Sequence, residues 1–158
     1  MKEILNSQKT IMISSINGDG FPQISYSPYV MVDNKIYIYI SRIADHHSNI
    51  QKNGNVSLMV ISDESKSQNL FARERVSFKG NAKKLDEISD CIKEKFEEIH
   101  GKRMMEVLYG MDFDFFEIDI LSGRLVKGFG KAFDLRYENN TWVEKQVVVD
   151  KNVPAHNK

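Results

Sequence analysis

Met111-Asp-Phe-Asp-Phe-Phe-Glu-Ile-Asp-Ile-Leu-Ser-Gly-Arg-Leu-Val-Lys-Gly-Phe-Gly-Lys-Ala-Phe133 is the stretch that sets the fold class. Asp112, Asp114, Glu117 and Asp119 interleave with Phe113, Phe115, Phe116, Ile118 and Ile120. Alternation with aromatic and β-branched residues marks a half-buried strand. Ser122-Gly123 reads as a turn, and Leu125-Val126 as the restart of a strand with Gly128-Phe129-Gly130 inside it. Glycine packs nothing in a strand and costs backbone entropy. The pair therefore predicts a bend, a bulge or a close approach by a ligand or another backbone.

Upstream, short strands and tight turns repeat. A helical turn is expected over 3–8 and strands over Thr10–Asn17, Phe21–Val32, Lys35–Ser41 and Asn55–Ile61. Asn17-Gly-Asp-Gly20 is a hairpin signal, because its residue types tolerate positive φ. Pro28 predicts an edge or a bulge in the second strand. Asp45–Gln51 reads as a short helix, and Phe71–Leu85 contains a long strand with Val76 and Phe78 opposite Ser77 and Lys79. Leu85, Ile88, Ile92, Phe96 and Ile99 recur at spacings of three and four, which predicts a helix over Leu85–Ile99 and a second helical piece to Tyr109. Arg136–Val149 adds a hairpin through Glu138-Asn-Asn140. These elements predict a mainly β fold with peripheral helices, an antiparallel barrel over residues 1–149, and a tail over 150–158.

The composition excludes several classes. The 158 residues suit one domain, and 22 basic residues balance 22 acidic ones, so no broad field draws nucleic acid or an acidic membrane. One cysteine, Cys91, rules out an intrachain disulfide framework and fits a reducing compartment; its helical setting reads as packing. The N-terminus lacks a signal peptide's apolar core, and runs such as Ile36–Ile40 are too short to span a bilayer. A cytoplasmic protein without membrane or nucleic-acid partners is expected.

There is no P-loop, dinucleotide-binding glycine motif, HExxH or CxxC pair. His46-His47, at a helix start, suits a phosphate or carboxylate if protonated, or simply capping and packing. Arg73 and Arg75 share a strand face at i, i+2 and suit an anionic ligand; composition alone favours surface salt bridges. His100 closes the long helix and complements its dipole. His156 is the third residue from the end of the sequence, unremarkable by composition.

Five segments, in order, resemble a known family: Ile24-Ser-Tyr-Ser-Pro-Tyr-Val30, Ile40-Ser-Arg-Ile-Ala-Asp-His46, Asn49, Phe71-Ala-Arg-Glu-Arg75 and Val126–Phe133. They are similar to haem-utilisation proteins of the HugZ/HutZ type, within the FMN-binding split-barrel group that includes pyridoxamine 5'-phosphate oxidase. The resemblance covers roughly residues 8–158. It implies a homodimer of split barrels with haem between protomers and a role in iron acquisition. The implied activity is reductant- and O2-dependent haem degradation with an external electron donor. It further implies that His156 is the axial iron ligand, that Asp112 accepts that histidine's second N–H, and that Arg75 holds a propionate or serves the oxygen chemistry. Ser41, Arg42, His46, His47 and Arg73 complete the implied cofactor set. A flavin-dependent oxidoreductase binding FMN, or a haem carrier or store, is the alternative. The flavin oxidases hold their phosphate with an Arg on the second strand and an Arg-Lys pair after the third. Here those places carry Ser25-Tyr26 and His46-His47, and Ala155 replaces the family's frequent glycine before the tail histidine.

Overall fold

The computed structural model describes residues 1–139 and 141–148. Within them the elements run α1 (Lys2–Ser7), β1 (Thr10–Ile16), β2 (Pro22–Val32), β3 (Lys35–Ser41), α2 (Asp45–Lys52), β4 (Asn55–Ile61), β5 (Arg75–Lys84), α3 (Asp90–His100), α4 (Lys102–Tyr109), β6 (Phe113–Val126), β7 (Ala132–Glu138) and β8 (Thr141–Gln146). Two 3-10 turns, Glu64–Lys66 and Leu70–Ala72, connect β4 to β5. The sheet order is β3-β2-β1-β4-β5-β6, and pairing of β3 with β6 closes these six strands into a barrel. The hairpin β7–β8 continues the sheet from the second half of β6. No described helix is long and apolar enough to cross a membrane.

Local chemistry accounts for the turns. Asn17 Oδ1 accepts from the amides of Asp19 and Phe21, which fixes the β1–β2 hairpin. Asp33 and Asn34 both have positive φ, as a two-residue hairpin between β2 and β3 requires. Pro28 sits where β2 leaves β1 and joins β3: Thr10 pairs with Pro28, and Tyr29 with Ile38. A missing N–H costs least at such a hand-over.

The inward rows are apolar: Ile36, Ile38 and Ile40 on β3, Val76 and Phe78 on β5, Phe116 and Ile118 on β6, all buried. The outward face of β3 and β6 is buried as well. Tyr37, Tyr39 and Phe115 lie under Ile92 and Phe96 of α3 and Met105 of α4. The rings of Tyr39 and Phe115 stack at 4.0 Å. Neighbours Phe115 and Phe116 thus point to opposite, equally dry sides, so β6 is not half-buried at its start.

Several boundaries differ from the sequence expectation. Ser122-Gly123 does not turn the chain; β6 runs through it, and a Cβ on Gly123 would lie 2.6 Å from Phe78 Cδ1. The turn is at Gly128-Phe129-Gly130, where both glycines have positive φ and Lys127 N donates to Lys131 O. The long helix begins at Asp90, not Leu85, because the Leu85 amide is held by Phe115 O in the sheet. Cys91 is exposed instead of packed. The long strand starts at Arg75, so Phe71 lies in a 3-10 turn and Arg73 precedes the strand. Asn140 and 149–158, including His156 and the expected tail, lie outside the described residues.

Candidate functional site

The barrel has two chemically distinct ends. At the lower end β3 finishes, α2 starts, β5 finishes and β6 begins. At the upper end β4 finishes, β5 starts and β6 finishes. The ten-residue β5, pairing Arg75 with Val126 and Lys84 with Phe116, separates them. At strand rise that is roughly 30 Å.

Three inward rows end in a charge at the lower mouth. Ile40 is followed by Arg42, Ala82 by Lys84, and Phe116 is preceded by Asp114. The Asp114 carboxylate is nearly buried, 9% exposed. Arg42 grips it twice, Nε to Oδ2 at 3.1 Å and Nη2 to Oδ1 at 2.9 Å. Lys84 Nζ is 3.2 Å and His47 Nε2 2.8 Å from Oδ2. His47, in the first turn of α2, is itself buried and stands edge-on to Phe116 at 5.1 Å. A second polar chain closes the mouth: Asn49 Nδ2 donates to Ser15 Oγ and Gln23 Oε1, and Gln23 Nε2 donates to Asp45 Oδ2.

Burial opposes the charge on Asp114, yet the bonds from Arg42, His47 and Lys84 outweigh it and hold the carboxyl well below its usual range. Glu117 is a second case. Burial again opposes ionisation, but Lys35, Lys83 and Tyr37 bring it to about 2. Both groups are depressed in the folded chain, so the unfolded chain takes up protons first. Their stabilisation is complete above about pH 5 and is lost as pH falls through 4 and below. Urea melts at pH 7, 4 and 3 are expected to show an acid loss on the order of 1–3 kcal/mol. Asp114→Asn should be less stable at pH 7 and flatter with pH; a wild-type acid slope in that variant would contradict this assignment.

The expected site residues fall into two groups. Ser41, Arg42, His46, His47 and Asp112 lie at the lower end. Ser41 ends β3, its Oγ 3.4 Å from the Ile43 amide. Asp112 is 81% exposed, with its carboxylate only 3.9 Å from Arg42 Nη1 and its carbonyl accepting from the Arg42 amide. Burial, then the neighbouring His47, lowers the His46 pKa, and its Nε2 is buried without a hydrogen-bond partner among the described residues. Arg73 and Arg75 lie at the upper end, and only Arg75 is on the strand, so they do not share a strand face. Arg73 Nε donates to Ser62 O and its Nη1 lies 3.6 Å from Glu64. Arg75 Nη1 donates to Arg73 O, and no carboxylate among the described residues pairs with it. The exposed side chains of Phe71 and Phe129 belong to the same end. His100 closes α3 as expected, and its Nε2 also bonds to Tyr29 O.

Sequence reading passed over Asp114 and Lys84. The available signal was parity: three inward apolar rows each meet a charge at the same end.

The barrel's outer face is also apolar in part. Tyr26 and Ile24 on β2 are 67% and 73% exposed. They flank Met12 and Ser14 on β1, and Met59 and Ser57 follow on β4. Ile24, Met12, Ser14, Ser57 and Met59 line a shallow apolar hollow of about 230 Å³.

A family model described as pyridoxamine 5'-phosphate oxidase matches residues 1–127. Heme oxygenase HutZ of Vibrio cholerae is 32% identical over 139 residues, 85% of this chain and 78% of that protein. A crystal structure of HutZ, described as a heme storage protein, is 31% identical with a TM-score of 0.64, over 75% of this chain and 86% of that one. Campylobacter jejuni ChuZ superposes with a TM-score of 0.84 at 29% identity and covers 99% of this chain, which spans only 65% of ChuZ. The chain belongs to the HutZ-type branch of the pyridoxamine 5'-phosphate oxidase-like split barrels.

Proposed function

We propose that this protein binds haem between two copies of the chain and takes part in its reductant- and O2-dependent breakdown. Membership of the HutZ-type branch supports haem as the ligand class. The observation that carries the reading is the separation of Arg75 from Asp112 at opposite ends of β5 and β6. One protomer cannot bring them to one ligand. An isologous pair whose two-fold axis runs across the strands sets the upper end of one copy against the lower end of the other. The exposed face of Ile24, Tyr26, Met12 and Met59 supplies apolar surface for that pairing.

The residues suit a flat apolar molecule with two carboxylates. Phe71 and Phe129 offer exposed rings, and Arg75 a guanidinium without an acidic partner among the described residues. On the other copy, Ile43 and Met111 offer apolar surface beside Asp112. Haem supplies the redox iron when bound. His156 would ligate it, Asp112 would accept that imidazole's other N–H and fix its tautomer, and Arg75 would anchor a propionate. The electrons would come from an external donor.

FMN is the second reading, favoured by the family model's description. Against it, His47 and Arg42 are already bound to Asp114. Sedimentation should give a dimer at micromolar concentration. Haem titration should give a saturable axial-histidine spectrum, with the colour decaying on addition of reductant and air. A stable haem complex under those conditions indicates a carrier, and retained stoichiometric FMN overturns the haem reading.

A further inference from the structure

We propose that Asp114 is a specificity determinant: its carboxylate fills, from within the chain, an anion site built by Arg42, His47 and Lys84, and so denies that site to a phosphate monoester. The groups around it are those that grip phosphate. A guanidinium presents two N–H donors, an ammonium and an imidazole approach the same oxygen, and all lie within 3.2 Å of the carboxylate. The imidazole comes from the first turn of α2, whose amide ends favour negative charge. Arg42 is 54% and Lys84 34% exposed, so the cluster opens to solvent and a ligand could reach it.

The local charge explains the refusal. Arg42 and Lys84 are matched by Asp114 and by Asp112 near Arg42. A dianion entering beside Asp114 would meet a buried like charge and, among the described residues there, no uncommitted cation, which costs more than the remaining donors return. Removing the carboxylate reverses the balance. Two fixed cations and an imidazole then surround a space lined by hydrogen-bond donors. Discrimination of this kind works by repulsion within the site, not by lack of cations.

The test compares FMN with riboflavin, which differ by the phosphate, using flavin fluorescence, with inorganic phosphate as the probe of the phosphate alone. Wild-type protein is expected to bind FMN no better than riboflavin. Its melting temperature should be the same in phosphate and in chloride of equal ionic strength. Asp114→Ala is expected to prefer FMN by about tenfold or more and to melt at a higher temperature in phosphate than in chloride. Adding Lys84→Ala to that variant should abolish both effects. If Asp114→Ala does not fold, Asp114→Ser also vacates the carboxylate's space, removes its charge and gives the same comparison. FMN preference in the wild type, or its absence in folded Asp114 variants, overturns the proposal. A phosphate effect in Asp114→Ala that survives Lys84→Ala overturns it too, by placing the anion elsewhere. If inorganic phosphate protects the variant but FMN gains nothing, the site takes the free ion, and its role in excluding the flavin phosphate is overturned. Neither haem nor dimerisation enters, so the haem titration of the wild type succeeds or fails independently.

Discussion

His156→Ala is expected to abolish the axial-histidine signature in the haem spectrum and most haem degradation. An imidazole nitrogen is a far stronger iron ligand than water or any aliphatic replacement. The neighbouring roles predict unequal losses. Asp112→Asn should keep binding but weaken the ligand bond and slow turnover, since an amide oxygen is a poorer acceptor than a carboxylate. Arg75→Ala should spare the axial signature and reduce affinity or turnover. Parallel titrations of the three variants by absorption spectroscopy read these differences. An unchanged spectrum in His156→Ala removes that residue from the site and makes His46 the next candidate, because its Nε2 lacks a partner among the described residues.

Phe116→Ala carries the largest expected stability effect. The ring is fully buried in the barrel, opposite Ile38 of β3, and it is the wall against which His47 stands. Deleting it removes transfer energy and leaves a cavity that a closed barrel cannot collapse. The loss should be about 3–5 kcal/mol, a large share of a domain's usual total. Phe116→Leu should cost much less. The alanine variant should also loosen His47 from Asp114 and flatten the acid part of the stability profile. A guanidinium melt showing less than about 1 kcal/mol of loss would mean that the interior is not packed around this ring.

Most of the architecture was legible because period-two alternation and turn chemistry are local. β3 and β4 appear within the bounds that their residue patterns predict, and the Asn17–Gly20 hairpin turns where its residue types place it. The deciding stretch was the hardest to place. Ser122-Gly123 resembles a turn, yet tertiary crowding against Phe78 uses the glycine for close approach instead, and Gly128 and Gly130 make the turn. Leu85 and Ile88 carry helical spacing but pack onto the aromatic cluster ahead of the helix, since Leu85 is tied to the sheet. Asp114 was hidden for a related reason. Beside Asp112 it looks like one of two solvent-facing acids. Only its shared parity with Phe116 and Ile118 turns it inward. The division of Arg75 from Asp112 depends on strand direction and register, which no local pattern carries.

That division is tested most directly by hybrid dimers. Arg75→Ala and Asp112→Ala chains, each carrying a different tag, are co-expressed, the mixed dimer is purified, and haem-dependent turnover is measured against both parent homodimers. If each site draws Asp112 from one chain and Arg75 from its partner, the hybrid contains one intact site and one with both defects. It should recover about half of the wild-type activity per dimer. If both residues serve a site within one chain, every site in the hybrid keeps one defect, and activity no better than the parents' would contradict the cross-protomer site.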